Sequence, residues 1–410
     1  MTASPCCRPG SPAAAPLEDE DLLTEILLRL PPQPSSLPRA SAVCKRWLSL
    51  VSDPRFSRRF RLHHRRNPPL LGFFDTYSGL TFHPALDAPN RVPPGRFSLQ
   101  RDDSDVVITL GCRHGLVLML YRSQNQVRVW DPVTRDHRRI DIPAPFDARD
   151  TVINGAVLRA TGDARHFQVV LVVAGDEDEL PRRVLACVYS SETGVWGNLI
   201  STPVSPFSQN TSLTMAYMSI LSALVVACAP AVLVGDSLYW TLVGDYAGIL
   251  EFDLERQTLA VIPVPAGMIE EGDELTAMRA EGGGLGFLFV SKSDCTAQLW
   301  KLNKDCNALL SWVLGRTIEL DKLFSLKSRV ERDSLGMLGF AEYSNVVLLS
   351  TRAGLFMVQL ESLQFKKLPQ AEVLSSRHPF ESVYTAGKSM PLHSYNAETR
   401  IGDGHDEAQI

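Results

Sequence analysis

Residues 17–32 read LEDEDLLTEILLRLPP, and residues 36–56 read SLPRASAVCKRWLSLVSDPRF. The first stretch predicts a helix over residues 18–30, because carboxylates fill its first turn and two prolines stop it. Its apolar residues form a wide stripe: Leu22, Leu23, Ile26, Leu27 and Leu30. The second stretch predicts helices over residues 36–40 and 42–51, and Pro54 can begin another that reaches residue 66. So small a unit buries little surface, so we expect its leftover apolar face to dock on another surface.

From about residue 70 the pattern changes to short β-rich runs separated by Gly, Pro, Asp and Asn clusters. A degenerate sequence unit recurs. It begins with an apolar strand and a turn, continues with a strand that ends in an aromatic residue followed by Asp or a similar residue, and closes with a second turn and a last strand. Four copies span residues 115–142, 236–262, 285–313 and 345–368. A period of about 40–60 residues with about four strands indicates propeller blades, about six to eight of them before residue 385. A pair of large β-sandwiches is the structural alternative.

Bulk composition limits the classes of function. A chain of 410 residues is long for one compact domain, and one short and one large domain fit better than four equal ones. The net charge of −5 argues against general attraction to nucleic acid or membranes. The eight cysteines include no Cys-x-x-Cys pair, so no structural zinc is expected. No signal peptide is visible, and the apolar stretch at 218–234 is too short and interrupted to span a membrane. We therefore expect reduced thiols, no cofactor, and a cytoplasmic or nuclear location.

Two features of the sequence resemble sites that carry chemistry, an esterase-like pair of motifs and a glycine-rich segment. Gly235-Asp-Ser-Leu238 resembles the nucleophile block of GDSL esterases, and Asp163-Ala-Arg-His166 resembles their partner block. Their order is reversed relative to that family, and Ser237 enters a strand, so catalysis is not expected. The glycine-rich residues 282–286 precede a strand instead of a helix, which disfavours a phosphate-binding loop.

A basic run covers residues 45–66: Lys45, Arg46, Arg55, Arg58, Arg59, Arg61, His63, His64, Arg65 and Arg66. It could contact phosphates or act as a nuclear import signal. We favour a solvated linker helix that faces an acidic partner, since only Phe56 and Phe60 are available for base stacking.

The helical segment resembles the F-box family through its RLPP, AVCKRW and SDPRF phrases at residues 29–32, 42–47 and 52–56. The whole chain resembles plant F-box proteins with a C-terminal F-box-associated or kelch-like β-propeller, although no kelch double glycine repeats. The implied fold is mainly β with a small α module, a three-helix F-box followed by a β-propeller-like domain. We expect a disordered tail at 1–16, the F-box at 17–57, a basic linker helix at 58–69, the propeller at 70–385 and a tail at 386–410.

The resemblance implies a non-catalytic substrate receptor of an SCF-type cullin–RING ubiquitin ligase. Its F-box would bind the acidic adaptor, and cullin through it, while the β domain captures an unknown protein target. The implied adaptor contacts are Leu17, Leu22, Leu23, Ile26, Leu27, Leu30, Pro31, Leu37, Val43, Cys44 and Trp47. The family often opens with Leu-Pro, whereas this chain has Leu17-Glu18.

Three alternatives stay open at this point. The apolar residues of the helices could simply pack against the β domain. The chain could be a propeller enzyme or small-molecule receptor with a helical interaction element. It could also be an F-box scaffold that acts outside a ligase.

Overall fold

The computed structural model describes residues 19–385 apart from 76–80, 98–105, 145, 147–151, 160–165, 175–182, 205–224, 227–228, 244–247, 266, 270–272, 305–309, 327–333 and 369–376. The predicted tails at 1–16 and 386–410 therefore lie outside the described residues.

Four short helices open the described chain: α1 (Glu20–Leu28), α2 (Ser36–Ser41), α3 (Lys45–Ser52) and α4 (Pro54–His63). Asp19 caps α1, because its carboxylate accepts from the backbone N–H groups of Asp21 and Leu22 at 2.9 and 3.1 Å. Asp53 caps α4 in the same way, with Pro54 at the first helical position. We call residues 20–63 the helical module.

The observed bounds correct the predicted ones. The helix expected at 18–30 starts after its Asp19 cap and ends at Leu28. The helix expected at 42–51 begins only at Lys45, because Cys44 is extended and residues 42–44 form the turn after α2. The fourth helix begins at its cap-adjacent proline and ends at His63, not at residue 66. It runs without a break across the boundary drawn between 57 and 58.

The helices share one small core, which explains why they fold together. Its buried apolar side chains are Leu23, Leu27, Leu28, Leu37, Ala40, Phe56 and Phe60, with Val383 from the far end of the chain. Since Phe56 and Phe60 lie one turn apart on α4, that helix belongs structurally to the helical module as well as leading into the β domain.

The β domain consists of six antiparallel sheets in the described residues, each a propeller blade. Blade one contains β1 (Leu70–Asp75), β2 (Phe82–Pro84) and β25 (Arg377–Glu381). Blade two contains β3 (Val107–Arg113), β4 (Leu116–Tyr121), β5 (Gln126–Trp130) and β6 (His137–Asp141). Blade three contains β7 (Ile153–Arg159), β8 (Phe167–Ala174), β9 (Arg183–Ser190), β10 (Val195–Trp196) and β11 (Ile200–Pro203).

The second half of the ring has the same plan. Blade four contains β12 (Val225–Val226), β13 (Val232–Val234), β14 (Ser237–Val243), β15 (Gly248–Asp253) and β16 (Thr258–Pro263). Blade five contains β17 (Glu274–Arg279), β18 (Leu285–Ser291), β19 (Thr296–Lys304) and β20 (Leu310–Glu319). Blade six contains β21 (Gly336–Ala341), β22 (Val346–Thr351), β23 (Gly354–Gln359) and β24 (Phe365–Leu368). Two short helical segments connect blades: a 3-10 turn at Pro94–Arg96, between β2 and β3, and α5 (Leu320–Phe324), between β20 and β21.

The ring is closed by the last strand. β25 pairs antiparallel with β1, from Leu70 opposite Glu381 to Asp75 opposite Arg377. β25 also lies against β21 of blade six and β3 of blade two, so it is the inner strand of blade one. Six blades confirm the predicted propeller and exclude the β-sandwich alternative.

A recurrent turn explains the sequence repeat. Asp131 follows β5, and its Oδ1 accepts from the N–H groups of Val133 and Thr134 at 3.0 and 3.1 Å. Asp253 and Gln359 accept pairs of backbone N–H groups at the same place in blades four and six, where the third strand turns into the outermost one. The repeated polar residue is thus the side-chain acceptor of a turn.

A buried ion pair crosses the propeller axis. Arg113, at the end of β3, donates to both carboxylate oxygens of Glu342, which follows β21, and to the carbonyl of Ala231. Glu342 also accepts from the Leu233 N–H at 3.0 Å. The side chains of Arg113 and Glu342 are only 6% and 11% exposed. Blades two, four and six are therefore joined through two side chains.

Removing one member of this pair should destabilise the propeller. Arg113→Ala leaves Glu342 nearly buried without its cation, and we expect a loss of about 3–5 kcal/mol in the free energy of unfolding. The double variant Arg113→Met/Glu342→Leu removes both charges and should lose less, because no uncompensated charge is left. Urea unfolding of the three proteins measures this difference. A double variant no more stable than Arg113→Ala would contradict the assignment of the loss to an unpaired charge.

Candidate functional site

The helical module presents apolar side chains to solvent. Leu22 and Ile26 lie one turn apart on α1 and are 49% and 42% exposed. Val43, in the turn after α2, is 63% exposed, and Leu48 on α3 is 49% exposed. We call these four residues the docking set. Large exposed apolar side chains gathered on so small a unit are typical of a protein-binding surface.

The predicted contact residues divide into three groups. Leu22, Ile26, Pro31, Val43 and Cys44 are exposed, and Leu30 and Trp47 are half-buried against the core of the module. Leu23, Leu27 and Leu37 are buried in that core. Leu17 lies outside the described residues.

The division follows from the width of the apolar stripe on α1. Leu23 and Leu27 point to one side and meet Phe56 and Phe60, so a rigid partner has no access to them. They hold α1 in place, while Leu22 and Ile26 remain for direct contact. Leu48 is absent from the predicted set, although it is a large apolar residue that directly follows Trp47 on α3, which the sequence shows.

The helical module is fixed to the propeller at one end of the ring. Its Ser35 N–H donates to Asn90 Oδ1 at 3.2 Å, and Arg65, just after α4, donates to the carbonyl of Arg159 at 2.9 Å. Val383, which follows β25, completes the core of the module. The docking set is thereby held in a defined place relative to the blades.

A cavity of about 750 Å³ lies where α4 meets blades two and three. We call it the junction cavity. Asp131 Oδ2 accepts from the Arg159 guanidinium at 2.6 Å, and Arg159 Nε donates to the His114 carbonyl at 3.0 Å. These bonds tie the end of β7 to the β5–β6 turn and to the β3–β4 turn along the wall of the cavity.

His114 occupies the β3–β4 hairpin. His114 and Gly115 have φ angles of +53° and +73°, which a two-residue hairpin requires. The Nδ1 of His114 accepts from the Arg159 N–H at 3.1 Å, so the ring is neutral with its proton on Nε2. Burial, reinforced by Arg65, Arg113 and Arg159, lowers the pKa of His114 to about 2.

The esterase-like motifs are not brought together as a catalytic triad would require. Ser237 begins β14 in blade four, whereas His166 precedes β8 in blade three, and Asp163 lies outside the described residues. The neighbouring Tyr239 hydroxyl donates to Glu251 at 2.7 Å, and burial raises the pKa of that phenol. Over the described ranges, no cluster of His, Cys, Asp and Glu has the makings of a metal site. Likewise, none of the helices described is both long and apolar enough to cross a bilayer.

Comparison with known proteins matches both parts of the chain. The F-box domain model matches residues 19–59, and the model described as F-box protein AT5G49610-like, beta-propeller matches residues 108–385, more than half of the chain. The chain is 23% identical over 332 residues to the F-box protein At5g03970 of Arabidopsis thaliana, across 77% of this chain and 72% of that protein. The resemblance noted in the sequence is thereby confirmed.

Solved structures give weaker likenesses. A putative 6-phosphogluconolactonase from Bacteroides uniformis is 13% identical with a TM-score of 0.33, over 75% of this chain and 82% of that one. The dihydro-heme d1 dehydrogenase NirN is 10% identical with a TM-score of 0.32, over 63% of this chain and 44% of that one. Likenesses this low carry no argument about function.

Acid should destabilise this fold through its buried histidines. Burial lowers the pKa of His114 to about 2 and that of His378 to about 4, below the value near 6.5 of an unfolded chain. The unfolded chain therefore takes up protons first, so this contribution is complete above about pH 6.5 and falls as pH drops below it. Each histidine contributes up to about 1.4 kcal/mol per pH unit.

Urea unfolding between pH 7 and pH 4 tests this expectation, with His114→Gln as the comparison. The glutamine keeps a hydrogen-bond acceptor but cannot titrate, so its stability should decline less steeply with acid than that of the wild type. Parallel curves for the two proteins would show that His114 does not carry the effect.

Proposed function

This chain belongs to the F-box proteins with an AT5G49610-like β-propeller, and we propose that it is a substrate receptor of an SCF-type cullin–RING ubiquitin ligase. The observation that carries the proposal is the docking set, four exposed apolar residues on a module that the F-box model matches. In this role the docking set meets the adaptor of the complex, and cullin is bound through that adaptor.

The chemistry expected of such a receptor is proximity. The helical module holds the adaptor at one end, and the propeller holds a target protein, so that target lysines stay near the ubiquitin-loaded enzyme. Binding both partners at once gives a high effective concentration without a catalytic group in this chain. The complex would act in the cytoplasm or the nucleus.

The geometry favours one end of the propeller for the target. The helical module lies at the end that carries the β3–β4 and β5–β6 turns, because Arg58, Arg61, His114 and Asp131 all line the junction cavity there. The turns between second and third strands emerge at the opposite end, among them residues 122–125, 292–295 and 352–353. Loops on a rigid scaffold are the usual place for recognition, so we assign target contacts to this opposite end.

Binding of the purified adaptor by the full chain tests the first half of the proposal. Leu22→Asp/Ile26→Asp puts two charges on the docking set, and we expect the affinity to fall about 100-fold or more, since each buried apolar anchor contributes about 1.5–3 kcal/mol. The matched control is Val195→Asp/Leu199→Asp, which charges two exposed apolar residues of the propeller. The control should bind like the wild type.

Substitution of Leu27 is unsuitable for this experiment, because a charge in the core would unfold the module and remove binding for a trivial reason. Equal adaptor binding by both double variants and the wild type would refute the docking set as the contact. Co-purification of cullin with the adaptor complex then separates a ligase receptor from an F-box scaffold that works outside a ligase.

A further inference from the structure

We propose that the junction cavity is a binding site for a small molecule that carries two or more phosphate groups. The proposal goes beyond the receptor function and does not depend on it. It rests on the faces of α4, on the charge balance of the cavity walls, and on guanidinium groups that make no hydrogen bond or ion pair among the described residues.

Helix α4 has two chemically distinct faces. Phe56 and Phe60 turn into the core of the helical module. Arg58 and Arg61 lie three residues apart and face the junction cavity, and Arg65 continues the same side just beyond the helix end. In a helix that is solvated on all sides, arginines need not be confined to one face. Here the arginines on this side of α4 face the blades.

The cavity walls carry an excess of positive charge. Six arginines line the cavity against three carboxylates, Asp131, Asp136 and Glu381. Two of those carboxylates, Asp131 and Glu381, already accept hydrogen bonds from other groups of the protein. Asp131 binds Arg159 and the backbone of its own turn, and Glu381 accepts from the N–H groups of Tyr343 and Ser344 at 3.1 and 2.8 Å. The excess is therefore not neutralised within the cavity.

Three guanidinium groups are available to a ligand: those of Arg61, Arg135 and Arg138. Over the described part of the chain, none of the three makes a hydrogen bond or an ion pair through its side chain. Arg61 is partly buried, and burial lowers its pKa from the ordinary value. The carboxylates of Asp131 and Asp136 favour the charged form of Arg61 from nearby. Neither makes a hydrogen bond or an ion pair with its guanidinium among the described residues, and a bound anion would supply that direct contact.

The size and chemistry of the cavity select the ligand class. About 750 Å³ suits a small molecule, since such sites typically span roughly 300–1,000 Å³. Guanidinium groups bind phosphate oxygens through two parallel hydrogen bonds. The lining arginines come from both α4 and blade two, so binding several of them at once needs more than one phosphate. Phe167 is the sole Phe, Tyr or Trp among the described lining residues, so base stacking offers little to a nucleic acid.

The position of the site gives the ligand a structural consequence. Arg61 belongs to the helical module, whereas Arg135 and Arg138 belong to blade two and its outer turn. A polyphosphate held between them would join the module to the propeller by bonds that neither part makes alone. The ligand would then fix where the docking set lies relative to the blades.

The test is calorimetric titration of the full chain with orthophosphate, pyrophosphate and tripolyphosphate at low salt. We expect affinity to rise with phosphate number, and the melting temperature to rise with tripolyphosphate. Arg61→Gln/Arg138→Gln should weaken tripolyphosphate at least tenfold and abolish the thermal shift. The matched control Arg55→Gln/Arg352→Gln removes one arginine of α4 and one of the propeller outside the cavity, and should bind like the wild type.

Each of the single variants Arg61→Gln and Arg138→Gln should also weaken binding, because the ligand contacts both walls. No detectable tripolyphosphate binding by the wild type, or equal binding by the cavity and control variants, would overturn the proposal. So would a phosphopeptide or a single-stranded oligonucleotide that binds at least tenfold more tightly than tripolyphosphate and depends on the same arginines. Adaptor binding, measured in parallel on the same variants, keeps this outcome separate from that of the receptor proposal.

Discussion

The pairing of β25 with β1 is the constraint on which the rest of this structure depends. A propeller blade shares its faces with two neighbours, so an open ring would leave the apolar faces of blades two and six without cover. Phe74 of β1 and Phe380 of β25 lie diagonally on one face of that pairing and meet at a ring-centroid distance of 5.2 Å, inside one buried cluster with Phe82 and Phe97. Closure is thus secured by backbone pairing and by an aromatic core at the same seam.

Polar contacts near the axis of the ring also depend on its closure. Arg113 and Glu342 come from blades on either side of blade one, and they meet only when β25 lies between β3 and β21. Asn154 of blade three donates to the carbonyl of Ala229, between β12 and β13 of blade four, at 3.0 Å, which adds a further link near the axis. Polar groups that would be costly when buried alone are satisfied because the blades meet.

Much of this architecture can be predicted from the sequence, and there are physical reasons why the rest cannot. The acidic first turn of α1 and the prolines at residues 31, 32 and 54 placed the helices, and the aromatic-Asp pairs that end in Asp131 and Asp253 marked the blades. Blade one has no contiguous repeat because it joins residues 70–84 to 377–381. The sequence of α1 alone does not show which side of its apolar stripe is left exposed for a partner, because the buried side is the one that contacts Phe56 and Phe60 of α4. The junction cavity depends likewise on arginines from distant segments, and only the folded chain brings Arg61 near Arg138.

Val383 links the two ends of the chain in a way that bears on how the protein is made. The helical module is synthesised before the propeller, yet one of the buried side chains of its core follows β25, the last strand of the ring. A nascent or prematurely terminated chain therefore carries helices whose core is unfinished. The strand that completes the propeller also completes the module, so the N-terminal surface reaches its final form only in a chain whose synthesis has passed residue 383.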